Sequence, residues 1–200
     1  NAILTIILFI LLFVCSGLFV YLKFNNSKTL STTDVKKHPD EIVNMEDAAM
    51  AAILFDTLFL NKGVMQSRGQ NVPFSGWAKK NFPEGDKISS LLKLEAGKYI
   101  LGFSWRPNGE KCKETSLDEG KGILIEYFQS GGVKKETTFK AGLLNGMVTI
   151  WHENKQKSVE ESYVDGRLHG QSVSWHENGQ KIKQVFYMED FKNGPYSYWT

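Results

Sequence analysis

Cysteine is nearly absent from this chain. Its 200 residues hold two, Cys15 and Cys112, so no disulfide framework can staple the fold, and nothing in the sequence requires an oxidising compartment. Histidine is also scarce, with four residues, and only two of them fall in a repeated context. No block of one charge stands out either: 24 basic and 22 acidic residues are mixed along the chain for a formal charge of +2. That balance, with no basic run interleaved with aromatics, argues against a nucleic-acid partner. No nucleophile elbow is present. The one Gly-Lys pair, Gly120-Lys121, is followed by Gly122 where a phosphate loop needs Ser or Thr.

What the chain does have is a repeat. Gly146, Gly170 and Gly194 are 24 residues apart, as are Trp151, Trp175 and Trp199, and the pairs His152/His176, Asn154/Asn178 and Tyr163/Tyr187 keep the same step. A period of 20 to 50 residues marks an array whose units are too small to bury an apolar face alone. In the clearest unit, Gln171 to Glu177 alternates in polarity, Asn178-Gly179 reads as a type I′ hairpin turn, Lys181 to Tyr187 returns, and Asp190 to Gly194 leads onward. One unit earlier come Trp151, the turn Asn154-Lys155, Tyr163 and the connector Asp165-Gly166; before that Tyr127, Gly131 and Phe139; and before that Trp105 with Asn108-Gly109. Gly85 extends the spacing backwards. The fold expected is mainly β, with tandem antiparallel β-hairpins forming one elongated twisted sheet over residues 63–200. Its Trp and Tyr positions make a ladder on one face, and the next strand is expected beyond Thr200 unless that is a natural end.

Two segments precede the array. Ala2 to Leu22 carries no charge; its 21 residues, about 31 Å as a helix, match a bilayer core of roughly 30 Å. Residues 1–22 therefore read as a transmembrane anchor, with the hydrophobic region of a cleaved signal peptide as the alternative. The lysines that follow leave the side of the membrane open. Residues 23–43 are polar and read as a tether. Residues 44–62 read as a helix capping the array, with Asn44 as N-cap, Glu46 and Asp47 in the first turn, and Ala48, Ala51, Ala52, Phe55, Leu58 and Phe59 on one face.

Chemistry is hard to find. His152-Glu153 and His176-Glu177 could be imagined as a metal set, but they recur as strand positions whose neighbouring side chains diverge. No catalytic residue, metal or cofactor is assigned. His152 and His176 remain as a possible binding surface. Glu114, Glu136 and Glu160, with Lys111, Lys134, Lys135, Lys157, Lys181 and Lys183, read as the charged face of the sheet.

The motif Gly-x-x-x-x-Trp-x-x-Asn-Gly over Gly170 to Gly179, the return strand to Tyr187 and the connectors Asp165-Gly166 and His169-Gly170 resemble the MORN-like variant repeat family, in particular YwqK-like antitoxins. Pro73 to Trp77 is similar to the opening of such arrays in bacterial membrane proteins. The resemblance implies a repeat sheet and a partner-binding role. The function expected is a non-enzymatic, single-pass membrane-tethered module for binding or scaffolding an unidentified protein. The alternatives are neutralisation of a cognate toxin and binding of lipid or cell-envelope polymer through the aromatics.

Overall fold

The computed structural model describes residues 44–199. They form a short helix and thirteen strands. Helix α1 is Met45–Ala51, and Asn44 caps it by accepting from the Glu46 amide at 3.0 Å. The expected helix over 44–62 stops there. Beyond Ala52 the chain forms β1 (Ile53–Leu54), a 3-10 turn (Phe55–Thr57) and β2 (Leu58–Asn61), and Phe55, Leu58 and Phe59 lie in the last two. Their spacing fits a helix face, but their aromatic and apolar side chains are used on an extended path, where tertiary packing overrides the local periodicity.

The strands divide into three sheets. β2 pairs with β3 (Val64–Ser67); β1, β4 (Gly76–Asn81), β5 (Ile88–Glu95) and β6 (Lys98–Ser104) form a four-stranded sheet; and β7 to β13 form an antiparallel meander in sequence order. The first link of the four-stranded sheet, β1 to β4, is parallel. The array is therefore not one elongated sheet over 63–200. The meander begins at β7 (Gly122–Tyr127) and continues through β8 (Val133–Lys140), β9 (Leu143–Trp151), β10 (Lys157–Val164), β11 (Arg167–Trp175), β12 (Lys181–Met188) and β13 (Phe191–Tyr198).

A second correction concerns the turns. At the Asn-Gly sites only the residue after Asn is left-handed: Gly109, Lys155 and Gly179 have φ of +88°, +68° and +82°. The Asn side chain instead closes the loop, with Oδ1 of Asn108, Asn154 and Asn178 each accepting the amide two residues on at 3.0 Å. Both residues are left-handed at Asp165-Gly166, read from the sequence as a connector, and at Ala141-Gly142. The two-residue hairpins of the meander are those links. Lys155 holds a conformation that costs an L-residue about 1 kcal/mol, partly offset by the greater chain entropy of glycine when unfolded. Lys155→Gly is expected to raise stability by about 0.5 kcal/mol, seen as a higher urea midpoint with unchanged slope.

Register explains the repeat. Gly122, Gly146 and Gly170 stand opposite Phe139, Tyr163 and Tyr187 and hold positive φ of +125°, +106° and +106°, so each unit sets a glycine in a backbone conformation that L-residues rarely adopt opposite an aromatic of its neighbour. The same pairings place the aromatics on two faces rather than one. Tyr163 and Tyr187 share a face with Val148 and Ser172, whereas Trp151 and Trp175 share the other with Thr149 and Val173.

The first of these faces meets the four-stranded sheet. Leu124, Phe139, Leu144 and Val148 pack with Ala78, Leu92 and Leu94, and the β2–β3 hairpin adds Leu58 and Met65. Tyr99 stacks obliquely on Phe139, with ring centres 4.8 Å apart. This inter-sheet layer is the main core.

Among the described residues no helix is long and apolar enough to cross a membrane, and residues 1–22 and 23–43, read as anchor and tether, lie outside them. The transmembrane helix, the single-pass membrane localisation, the membrane partner and the tethering function therefore find no support among the described residues and are not carried forward.

Candidate functional site

Where the two sheets separate, charged residues enter the layer. Glu126 of β7, Lys135 of β8 and Ile150 of β9 are successive cross-strand neighbours on the covered face, two steps along from the Leu124, Thr137 and Val148 row. Lys80 arrives from β4, on the same face as Ala78. Its Nζ lies 2.6 Å from Glu126 Oε1 and 4.5 Å from the centre of the Phe55 ring. The ammonium is thus held between a carboxylate and a π face.

Two adjoining cavities, of about 380 and 280 Å³, share Phe55, Lys80, Glu126, Lys135 and Ile150. The larger is lined by four lysines (Lys79, Lys80, Lys134, Lys135) against two carboxylates (Asp56, Glu126). Lys79 donates to the Ala49 carbonyl at 2.9 Å, and Lys80 is paired as described. Among the described residues the Lys135 amine has neither a hydrogen bond nor an ion pair. Burial pushes its pKa down, and attraction from Glu126 and Glu161 offsets this only in part. Burial pushes the Glu126 carboxyl up, but Lys80, Lys135 and Lys134 outweigh that and hold it below the usual carboxylate range. The cleft wall also carries a buried acceptor, Asn81 Oδ1, that meets no donor among the described residues. In the smaller cavity Glu161 is already satisfied, accepting from Tyr163 Oη at 2.9 Å and Ser172 Oγ at 3.3 Å. Burial, reinforced by Glu161, raises the Tyr163 phenol pKa.

The residues singled out in the sequence lie elsewhere or serve the framework. His152 Nε2 is 2.9 Å from the Trp175 carbonyl, and Asn154 Nδ2 donates to the Glu177 carbonyl at 2.6 Å. Each reaches 23 residues along the chain, tying one turn to the next. His176 is exposed. Among the described residues no group of three or more His, Cys, Asp or Glu could hold a metal ion. Tyr127 and Phe139 are buried, Trp105, Trp151 and Trp175 are half-buried, and Trp199 is exposed. The rings are split between two faces, with Tyr163 and Tyr187 on the covered one and Trp151 and Trp175 on the other, and the lipid or polymer alternative finds no support among the described residues and is not carried forward. Lys135 does not belong to the exposed charged face on which the sequence places it. Neither it, Lys80, Glu126 nor Asn81 was marked by the 24-residue period: the signal is a charge at alternating positions of an apolar row, visible only once the covered face is known.

These observations define a class: a β domain with a lysine-rich cleft between its two larger sheets. No family model matches the chain, and neither the curated proteins nor the solved structures contain a match. The antitoxin and protein-scaffold expectations, which leaned on the resemblance and on the anchor, have no support in these findings and are not carried forward.

Proposed function

We propose that this domain is a non-catalytic binding module, built from MORN-like variant repeats, that takes a small organic anion into the cleft between its sheets. The observation that carries the reading is the Lys135 amine, which lines the cleft with no hydrogen bond or ion pair to it among the described residues. A buried amine is costly unless paired, and an arriving carboxylate supplies the pair. The excess of lysines over carboxylates favours an anion. Phe55 and Ile150 suit an apolar or aromatic body, and the unmet Asn81 acceptor suits a ligand that also carries a donor.

4-Hydroxybenzoate combines these features and serves as the probe. Equilibrium dialysis against the 200-residue chain is expected to show one saturable site. Lys135→Met is expected to weaken binding by about tenfold or more, since a charge-assisted hydrogen bond contributes about 1.5–3 kcal/mol. Benzoate, lacking the hydroxyl, is expected to bind less tightly, and Lys183→Met, in the same face but outside the cleft, is expected to change nothing. Absence of saturable binding, or equal binding by the Lys135 variant, would reject the reading.

A further inference from the structure

Two carboxylates influence the Lys135 amine, and each is already engaged elsewhere. Glu126, its cross-strand neighbour on β7, is paired with Lys80 of β4 at 2.6 Å, and Glu161 of β10 accepts from Tyr163 and Ser172. The cross-strand neighbour on the other side is Ile150, whose side chain has no polar atom to offer. Lys135 therefore lines both cavities with its lone position unclaimed among the described residues. Burial is the largest influence on the amine and favours its uncharged form; Lys80 and Lys134 act in the same direction, and Glu126 and Glu161 act against it. Asp56 of the 3-10 turn and Lys79 of β4 face the same cleft. An uncharged amine whose lone pair is not shared is a nucleophile.

We propose that Lys135 captures a small aromatic aldehyde in this cleft as an imine. The lone pair of Nζ adds to the carbonyl carbon, the C–O bond breaks as C=N forms, and both amine hydrogens leave with the carbonyl oxygen as water. No oxidant, reductant or further reactant is consumed. Hydrolysis reverses the step, so the capture is stoichiometric, in keeping with a binding module. The inference rests on the anion-binding reading for the cleft as a ligand site, but it needs no charge on the ligand: the carbonyl carbon takes the place given there to the carboxylate. The larger cavity, about 380 Å³, is of the size that small-molecule sites have. Phe55, Tyr127 and Ile150 give it apolar and aromatic surface for a ring, and the unmet Asn81 acceptor is open to a hydroxyl on that ring. An apolar wall also limits the water that would hydrolyse the imine.

The test treats the unsubstituted 200-residue chain with 4-hydroxybenzaldehyde and sodium cyanoborohydride, which reduces an imine in place, and maps the labelled lysines by peptide mass spectrometry. At pH 7 Lys135 is expected to be labelled several-fold faster than Lys113 and Lys155, which are exposed. That preference is expected to narrow as pH rises toward about 10.4, where ordinary lysines also lose their protons. Lys135→Arg keeps the positive charge but offers no amine that condenses, and is expected to lose the fast-labelled site with its circular dichroism unchanged. Excess 4-hydroxybenzoate is expected to slow labelling at Lys135 and not at Lys155. Labelling of Lys135 no faster than that of the exposed lysines overturns the proposal, and the readout on the unsubstituted chain holds whether or not the variant folds. Saturable binding of 4-hydroxybenzoate together with such unselective labelling would reject this inference and keep the anion-binding reading; selective trapping at Lys135 without benzoate binding would do the reverse.

Discussion

Gly120→Ala is expected to cost about 3–5 kcal/mol, much of a domain's usual margin of about 5–15. Gly120 ends a two-residue turn, Glu119-Gly120, with φ of +49° and +72°. A methyl group added there would lie 2.5 Å from the Gly142 nitrogen and 2.9 Å from its Cα. Neither atom can retreat, because the Gly142 amide donates to the Gly120 carbonyl at 2.8 Å and the Gly142 carbonyl accepts from Tyr99 at 2.8 Å, while the Gly120 amide reaches Ile100 at 3.0 Å. This chain of hydrogen bonds runs from the four-stranded sheet to the β8–β9 turn of the meander. Left-handed strain contributes about 1 kcal/mol, overpacking against fixed backbone about 1–3, and a displaced hydrogen bond about 1. Gly109→Ala is the control: φ is +88° but nothing lies within 4 Å of the added carbon, so only the strain applies. Urea denaturation of the two variants is expected to show midpoints separated by at least about 2 kcal/mol of stability. Equal losses would mean that the Gly120–Gly142 contact is not a rigid joint.

Lys80→Met is the next largest, at about 2–3 kcal/mol near neutral pH. Removing one member of a buried pair leaves the other charged and without its closest partner, a loss of about 3–5 kcal/mol when burial is complete. The figure is reduced because about a quarter of the Lys80 side chain is exposed. The sign with pH follows from Glu126. Its folded pKa is depressed, so its stabilising contribution is present above the ordinary carboxylate value of about 4.3 and is lost as pH falls through the folded value. The gap between parent and variant is therefore expected to be full at pH 7 and to close in acid below that folded value. A gap that persists there would assign the loss to the Phe55 stacking contact instead. Lys80→Met with Glu126→Leu together is expected to recover most of the stability, since an apolar pair can replace a buried ionic one.

The β character and the units from Gly122 onward were legible because glycine, aromatic and turn residues recur at one spacing, and each marks a strand or its end. The turn geometry was misassigned: Asn-Gly has the composition of a type I′ hairpin, but Asn154 and Asn178 use their side chains to close a wider loop, leaving the tight turns to Ala141-Gly142 and Asp165-Gly166. The break before β7 carries no local mark, since Trp105 and Asn108-Gly109 copy the repeat while β6 pairs with β5 instead. Phe55 and Leu58 have helical spacing on a non-helical path because their burial is decided by partners such as Leu92 and Tyr99, far along the chain. Lys135 and Glu126 were unreadable as a site for the same reason: whether a charge on a strand meets solvent or another sheet depends on which face is covered.

The glycine-to-aromatic pairing bears on how such a chain can change over generations. At β7 the row runs into the four-stranded sheet, where Leu124, Tyr99 and Phe139 must fit one another, so a duplicated unit there would disturb a three-dimensional jigsaw. Between β9 and β12 the pairs Gly146–Tyr163 and Gly170–Tyr187 repeat at 24 residues, so a tandem duplication of one unit there would bring its own glycine and its own aromatic into register with its neighbours. Length is thus inheritable in whole units within that stretch, while the strands that hold the cleft are kept fixed.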